Sequence, residues 1–310
     1  MQIDVHQHFW SDPLLDALAA RRTLPFVRRT NGLTILHAAG EQPYLLDATA
    51  ETGRRRASLL SDDGLDLAFV ALSSAIGVEA LPRGEAQELI EAHLEGVFEL
   101  PDGFAPWGPV ALDRIEPDDV DRLLARGCIG ISLPAGALAG PSALARAAPL
   151  LARVQARQAT LLVHPGPAPS SNPPAEAALN EPLWWRALTD YVAQMQAAWL
   201  TFATLGRREY PGLRILFAML AGGAPLLSER LAARGGPAVD LGDPLVFYDT
   251  SSYGPAAVET MARRIGTEQL VYGSDRPVVE PTRTGREAML AANGAMLLER
   301  ARWAPAWSMA

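Results

Sequence analysis

Eight short apolar runs recur along the chain, and helical patterns fill most of the gaps between them. The runs are Ile3–His8, Leu67–Leu72, Ala105–Val110, Cys128–Leu133, Thr160–His164, Arg214–Met219, Leu245–Thr250 and Leu270–Asp275. Each is bounded by Gly, Pro or Asp and rich in Val, Ile, Leu or Phe, the pattern of strands buried on both faces of a parallel sheet. Ala105–Val110 fits least well, because its prolines have no N–H for a sheet ladder. Helices are expected over Glu85–Leu100, Pro117–Arg126, Ser142–Gln158, Pro255–Ile265 and Pro281–Ala292. A longer one, Glu181–Leu205, carries Trp184, Trp185, Tyr191, Trp199 and Phe202. Eight strands in βα alternation close into an α/β fold, a (β/α)₈ TIM barrel, with no edge left over; a doubly wound sheet is the second choice. We read residues 1–310 as one domain with insertions after strand 1 (Ser11–Thr52) and strand 5 (Gly166–Asn180). Both leave from strand carboxyl ends, where a barrel keeps its active site and long loops often serve as lids.

Composition narrows the partners. Of the 310 residues 49% are hydrophobic and 20% charged, enough apolar material for a sizeable core. A net charge of −8 argues against a nucleic-acid partner, which requires a basic face. No apolar run approaches the ~20 residues that span a bilayer, and the chain opens directly into a strand without a secretory pattern. A soluble, cytoplasmic protein with a small-molecule substrate is expected. The single cysteine, Cys128, lies in an apolar run and reads as a buried, inert thiol. His93, on the apolar face of an expected helix, reads as a packing residue.

The chemistry gathers at strand ends. His6 and His8 close the first strand, and residues two apart in a strand point to the same side. His164 closes the fifth strand before Pro165-Gly166. Asp275 closes the eighth, where a carboxylate is costly to bury unless paired or metal-bound. Three imidazoles and one carboxylate suit a single divalent ion, Zn²⁺ first, with Mn²⁺, Fe²⁺ or Co²⁺ also fitting. Around them, Arg276 could grip a substrate carboxylate, Trp10 could wall the pocket, and His37 could reach in from the first insertion. Asp249, at the end of the seventh strand, is expected to hydrogen-bond a ligating histidine.

The segments Ile3-Asp-Val-His6-Gln-His8, Leu162-Val-His164-Pro, Leu270-Val-Tyr-Gly-Ser-Asp275-Arg-Pro and Ala292-Asn-Gly-Ala-Met-Leu-Leu resemble the amidohydrolase superfamily. The resemblance is to its amidohydrolase-related branch, which holds metal-dependent hydrolases, dicarboxylate lactonases and decarboxylases of the aminocarboxymuconate-semialdehyde type. It implies that Asp275 both ligates the metal and takes a proton from a metal-activated water, which attacks a small ester, lactone or amide. The alternatives are nonoxidative decarboxylation of an aromatic or dienoic acid, or a binding protein that kept the fold. A homodimer is the family's default. Two departures bear on mechanism. Where the family commonly has a histidine at the end of strand 6, this chain reads Phe217-Ala-Met219-Leu-Ala-Gly222-Gly223. Strand 4, Gly130-Ile-Ser-Leu133-Pro, offers no lysine for carbamylation, so one metal is expected rather than two. Lactonases of this branch can also keep ligand-type residues and work without metal.

Overall fold

The computed structural model describes residues 1–47, 51–169 and 181–298. Eight parallel strands among them make up the barrel: β1 Ile3–Gln7, β2 Leu67–Val70, β3 Phe104–Pro106 continued by Gly108–Pro109, β4 Gly130–Pro134, β5 Thr160–His164, β6 Arg214–Phe217, β7 Val246–Asp249 and β8 Leu270–Val271. Neighbours in this order pair in parallel. Closure is made beyond the short β8, where Val5 N–H donates to Tyr272 O (2.9 Å) and Asp275 N–H to His6 O (2.9 Å). The TIM-barrel reading is therefore the observed fold.

β3 is split at Trp107, between two prolines that cannot donate ladder bonds. The chain crosses the gap with Trp107 N–H on Val70 O and Pro106 O accepting from Ile129. Trp107 is fully buried, packs edge-on against Phe69 at 5.7 Å, and donates its indole N–H to Val5 O at 3.0 Å. That indole requires Gly130 opposite, since a Cβ there would lie 2.6 Å from the ring.

The expected helices appear with ends shifted by a residue or two: Arg83–Phe98, Asp118–Ala125, Pro141–Ala156 and Pro255–Ile265. Two differ more. The last begins only at Glu287, because Gly285 is left-handed (φ 75°) and Glu287 turns back to cap Thr284. The Trp-rich helix is broken at Thr189 into Trp185–Leu188 and Asp190–Thr201, followed by a π-turn over Phe202–Gly206. Trp199 and Phe202 are buried, whereas Trp184 and Trp185 are 56% and 45% exposed.

The first insertion has a fold of its own. Helix Asp12–Ala20 buries Leu14, Leu15 and Leu18 and leads into an antiparallel sheet of Phe26–Thr30, Leu33–His37 and Tyr44–Leu46. Its hairpin turns at Asn31-Gly32, both left-handed, the pair a tight hairpin favours. Of the second insertion, residues 170–180 lie outside the described residues. Among the described residues no helix is long and apolar enough to cross a membrane.

Candidate metal centre

His6, His8, His164 and Asp275 converge at the carboxyl ends of β1, β5 and β8. One potential ligand atom from each lies within 4.8 Å of all the others. The three buried rings stand mutually edge-on, with centroids 4.9, 5.0 and 5.0 Å apart. Gly273 admits this arrangement, since a Cβ there would sit 3.0 Å from Asp249 and 3.1 Å from His6.

Each ring is fixed from behind. His8 Nδ1 lies 2.8 Å from Ala71 O and His164 Nδ1 2.8 Å from Pro165 O. A carbonyl only accepts, so both Nδ1 atoms carry the hydrogen and both Nε2 atoms present lone pairs. His6 Nδ1 lies 2.8 Å from Asp249 Oδ2, and that carboxylate orients His6 the same way. The two Nε2 atoms of His6 and His8 are then only 3.2 Å apart. Asp275 Oδ1 is 3.2 Å from His8 Nε2 and 3.8 Å from His6 Nε2. Lone pairs and a carboxylate facing inward at this range call for a cation between them. The donor set fits one divalent ion.

The two carboxylates favour positive charge at the cluster, which a proton carries when no metal does. Burial disfavours charge on His6, yet Asp249 and Asp275 outweigh it and lift the imidazole to about 9. For Asp275 burial works upward, but the contact with His8 Nε2 and the charges that His6 and His8 carry when protonated prevail, holding it below the usual carboxylate range. His164 is pushed well below its ordinary value by burial and by its two histidine neighbours. A second ion bridged by a carbamylated lysine is ruled out by chemistry, because all 27 basic side chains are arginines.

The end of β6 is unusual. Met219, Leu220, Ala221, Gly222 and Gly223 are all left-handed, with φ from 43° to 74°. Gly222 sits so close to the Asp190–Thr201 helix that a Cβ would lie 2.8 Å from Val192 O, and Gln196 donates to Gly222 O. The turn aims Met219 N–H at Asp249 Oδ1 (2.9 Å), which also accepts from the N–H and hydroxyl of Ser251. Met219 thus supplies a backbone donor to the group that orients His6, while its thioether cannot carry a proton.

Of the three residues expected around a substrate, Arg276 and His37 turn their side chains to other partners. The Arg276 guanidinium is 2.6 Å from Asp63 and 3.4 Å from Glu280, and is committed to those ion pairs rather than to the centre. It serves through its backbone, as Arg276 O accepts from His8 N–H (2.6 Å). His37 is stacked on Phe26 at 4.7 Å within the small sheet and is not a member of the ligand cluster. Trp10 is buried in the core at 5% exposure.

Other residues matter that the pattern of the sequence did not single out. Asp4, fully buried, accepts from the N–H groups of His6 and Ser274 and from the Gln7 side chain, stitching β1 to the chain after β8. Arg56, also buried, donates to Gln7 Oε1 and His8 O at 2.7 Å each. Ser252 donates to Asp275 Oδ2 at 3.1 Å. Two phenols feel the charge of Asp275. Burial raises Tyr44, with Asp275 and Glu51 adding to it. Burial and Glu41, to which Tyr191 is hydrogen-bonded, raise Tyr191, with Asp275 again adding. That bond ties the first insertion to the Asp190–Thr201 helix.

No protein-family model matches the sequence, and comparison with curated proteins gives no match. Solved structures do match. IDCase from Metarhizium anisopliae superposes with a TM-score of 0.67 at 16% identity, covering 99% of this chain and 93% of that one. The 5-carboxyvanillate decarboxylase of Sphingomonas paucimobilis gives 0.65 at 17%, covering 98% and 99%. The corresponding enzyme of Novosphingobium aromaticivorans, complexed with manganese and a nitrobenzoic acid, gives 0.65 at 18%, covering 96% and 89%. The chain shares the barrel fold of these enzymes.

Proposed function

We propose that this chain is a mononuclear, divalent-metal-dependent enzyme of the amidohydrolase type, and that its reaction is nonoxidative decarboxylation of a small acid. The observation that carries the metal dependence is the convergence of three Nε2 lone pairs and one carboxylate oxygen, each imidazole locked by an acceptor behind it. The reaction class draws support from two sources. Several similar structures are decarboxylases, one of them holding manganese. In addition, Met219 stands where a proton-carrying side chain would help activate water, and breaking a carbon–carbon bond needs no water nucleophile.

When bound, the metal supplies a Lewis acid that draws negative charge onto substrate oxygens. The chain's own residues do the rest. His6, His8 and His164 hold fixed directions, because Asp249, Ala71 O and Pro165 O bind their outer nitrogens. Loss of CO₂ leaves the bonding pair on the substrate carbon, which must take up a proton. Asp275 is ionised at rest but lies on the wall of the site, 15% exposed, where it can take a proton from solvent and pass it to that carbon. Tyr44, near Asp275, can donate a hydrogen bond to a substrate oxygen.

The second reading, hydrolysis of an ester, lactone or amide, is favoured by the same carboxylate. Asp275 lies beside the ion position and could take the proton of an attacking water. The test is CO₂ release from a panel of hydroxybenzoates and muconate semialdehydes by protein loaded with Mn²⁺ or Zn²⁺, beside a panel of lactones, esters and amides. CO₂ release that Asp275→Asn abolishes is the expected result. Hydrolysis without CO₂ would install the second reading, and neither activity from protein that binds metal tightly would overturn both.

A further inference from the structure

We propose that Ser252 is a positioning residue for the metal centre, holding Asp275 so that one carboxylate oxygen alone faces the ligand cluster. The inference rests on the metal-centre reading above. Ser252 lies on the turn that leaves β7, three residues after Asp249, and its side chain is on the surface. Its hydroxyl donates to Asp275 Oδ2 at 3.1 Å, leaving Oδ1 at 3.2 Å from His8 Nε2. The same turn holds a second part of the centre, since Ser251 donates its hydroxyl to Asp249, the carboxylate behind His6. One four-residue segment thus grips two of the groups that define the ion position, one from behind and one from the side.

The backbone gives the serine away as more than a turn residue. Ser252 has φ 64°, and Asp275, its partner, has φ 59°. An exposed turn position with positive φ favours glycine, which adopts it without steric cost. Serine keeps this place against its own conformational preference, as expected where local strain is retained for a site. The hydroxyl is what glycine would lack. Without it Asp275 can rotate about its side-chain bonds and present either oxygen, both, or neither.

This separates function from stability by sign. Ser252→Gly relieves the backbone and touches no core contact, so the metal-free protein should melt at the wild-type temperature or above it. Its affinity for Mn²⁺ or Zn²⁺, read by competition with a chromophoric chelator, should fall by about tenfold, the lower end of what loss of a group orienting a ligand costs. Ser252→Asn tolerates positive φ and carries an amide N–H that can reach Asp275, so it should keep wild-type affinity within about threefold. If Ser252→Gly binds metal as tightly as wild type, the positioning role is wrong. It is also wrong if affinity falls only together with the melting temperature of the metal-free protein, which would make Ser252 structural. If wild-type protein binds neither ion, the metal-centre reading fails first and takes this inference with it.

Discussion

His6 and His93 are both buried, at 2% and 0% exposure, yet their preferences for a proton run in opposite directions. Burial, with the nearby His8, pushes His93 down to about 3; among the described residues neither of its ring nitrogens has a hydrogen-bond partner. His6 suffers the same burial but is lifted to about 9 by Asp249 and Asp275. Two carboxyls repeat the contrast. Asp275, beside two histidines, is held below its ordinary range. Glu79 has the Ser74 hydroxyl and its own backbone N–H but, among the described residues, no charged partner and no hydrogen bond on its second oxygen, and burial pushes it up to about 7. Burial therefore does not define a site in this barrel. Partners do, and they are concentrated where β1, β5, β7 and β8 end.

The largest effect should come from removing the charge at the partnered end. Asp275→Asn keeps shape and hydrogen-bonding capacity but cannot hold a transferable proton. On whichever substrate turns over, kcat/KM should fall by about 10³-fold, within the usual range for a general acid or base. Activity within tenfold of wild type would leave Asp275 without the role given to it.

At the unpartnered end the readout is stability against pH. The folded value of Glu79 lies above its ordinary 4.5, so the native state binds this proton more tightly than the unfolded chain. Its contribution is present in full below about pH 4.5 and is lost as pH rises through about 7. The difference, at 1.36 kcal/mol per pKa unit, is of order 3 kcal/mol. Glu79→Gln should lose that part of the pH dependence in denaturant titrations between pH 4.5 and 8. An unchanged slope would mean that Glu79 finds a partner on ionising.

Asp249→Asn sharpens the contrast within the centre. Asp249 Oδ1 accepts three donors, from Met219 and Ser251, so an asparagine oxygen would settle there and turn its NH₂ toward His6. His6 would then accept at Nδ1 and carry its hydrogen on Nε2, the wrong tautomer for a ligand. Metal affinity should drop by about 10- to 100-fold with little change in fold content. Chelator competition giving wild-type affinity would show that Asp249 does not set the tautomer.

Much of this could be read in the sequence, for reasons that also explain what could not. The barrel strands carry period-2 and continuous apolar runs, and the helices between them carry 3.6-residue spacing. Both are local signals. The four ligand-type residues stood out because each ends an apolar strand, where polar residues are expensive. The Asn31-Gly32 hairpin was present in the sequence as a turn signal, but its strands are short and only half-buried, so the insertion read as a loop. Arg276 was misplaced because its direction is set by Asp63, 213 residues away. Asp4 reads as one more polar residue in an apolar strand until the seam with Ser274 is closed, and Ser252 meets Asp275 only in three dimensions. Side chains that depend on a partner from a distant strand end leave no periodic trace.

The smallest effect is the most direct probe of the opening contrast. His93 lies on the Arg83–Phe98 helix, fully enclosed, with two ring nitrogens that form no hydrogen bond among the described residues. A buried polar group without a partner costs folding free energy, and replacing it by an apolar group of similar volume is neutral or favourable. His93→Leu should therefore leave stability unchanged or raise it by about 1 kcal/mol. Metal content should stay at the wild-type level, since His93 is not one of the four ligand-type residues. The same substitution at His6 should remove the metal altogether. If His93→Leu instead lowers stability by about 2 kcal/mol, the ring must be satisfied in solution, for instance by an internal water. The division between partnered and unpartnered buried groups would then shrink to the carboxyls alone.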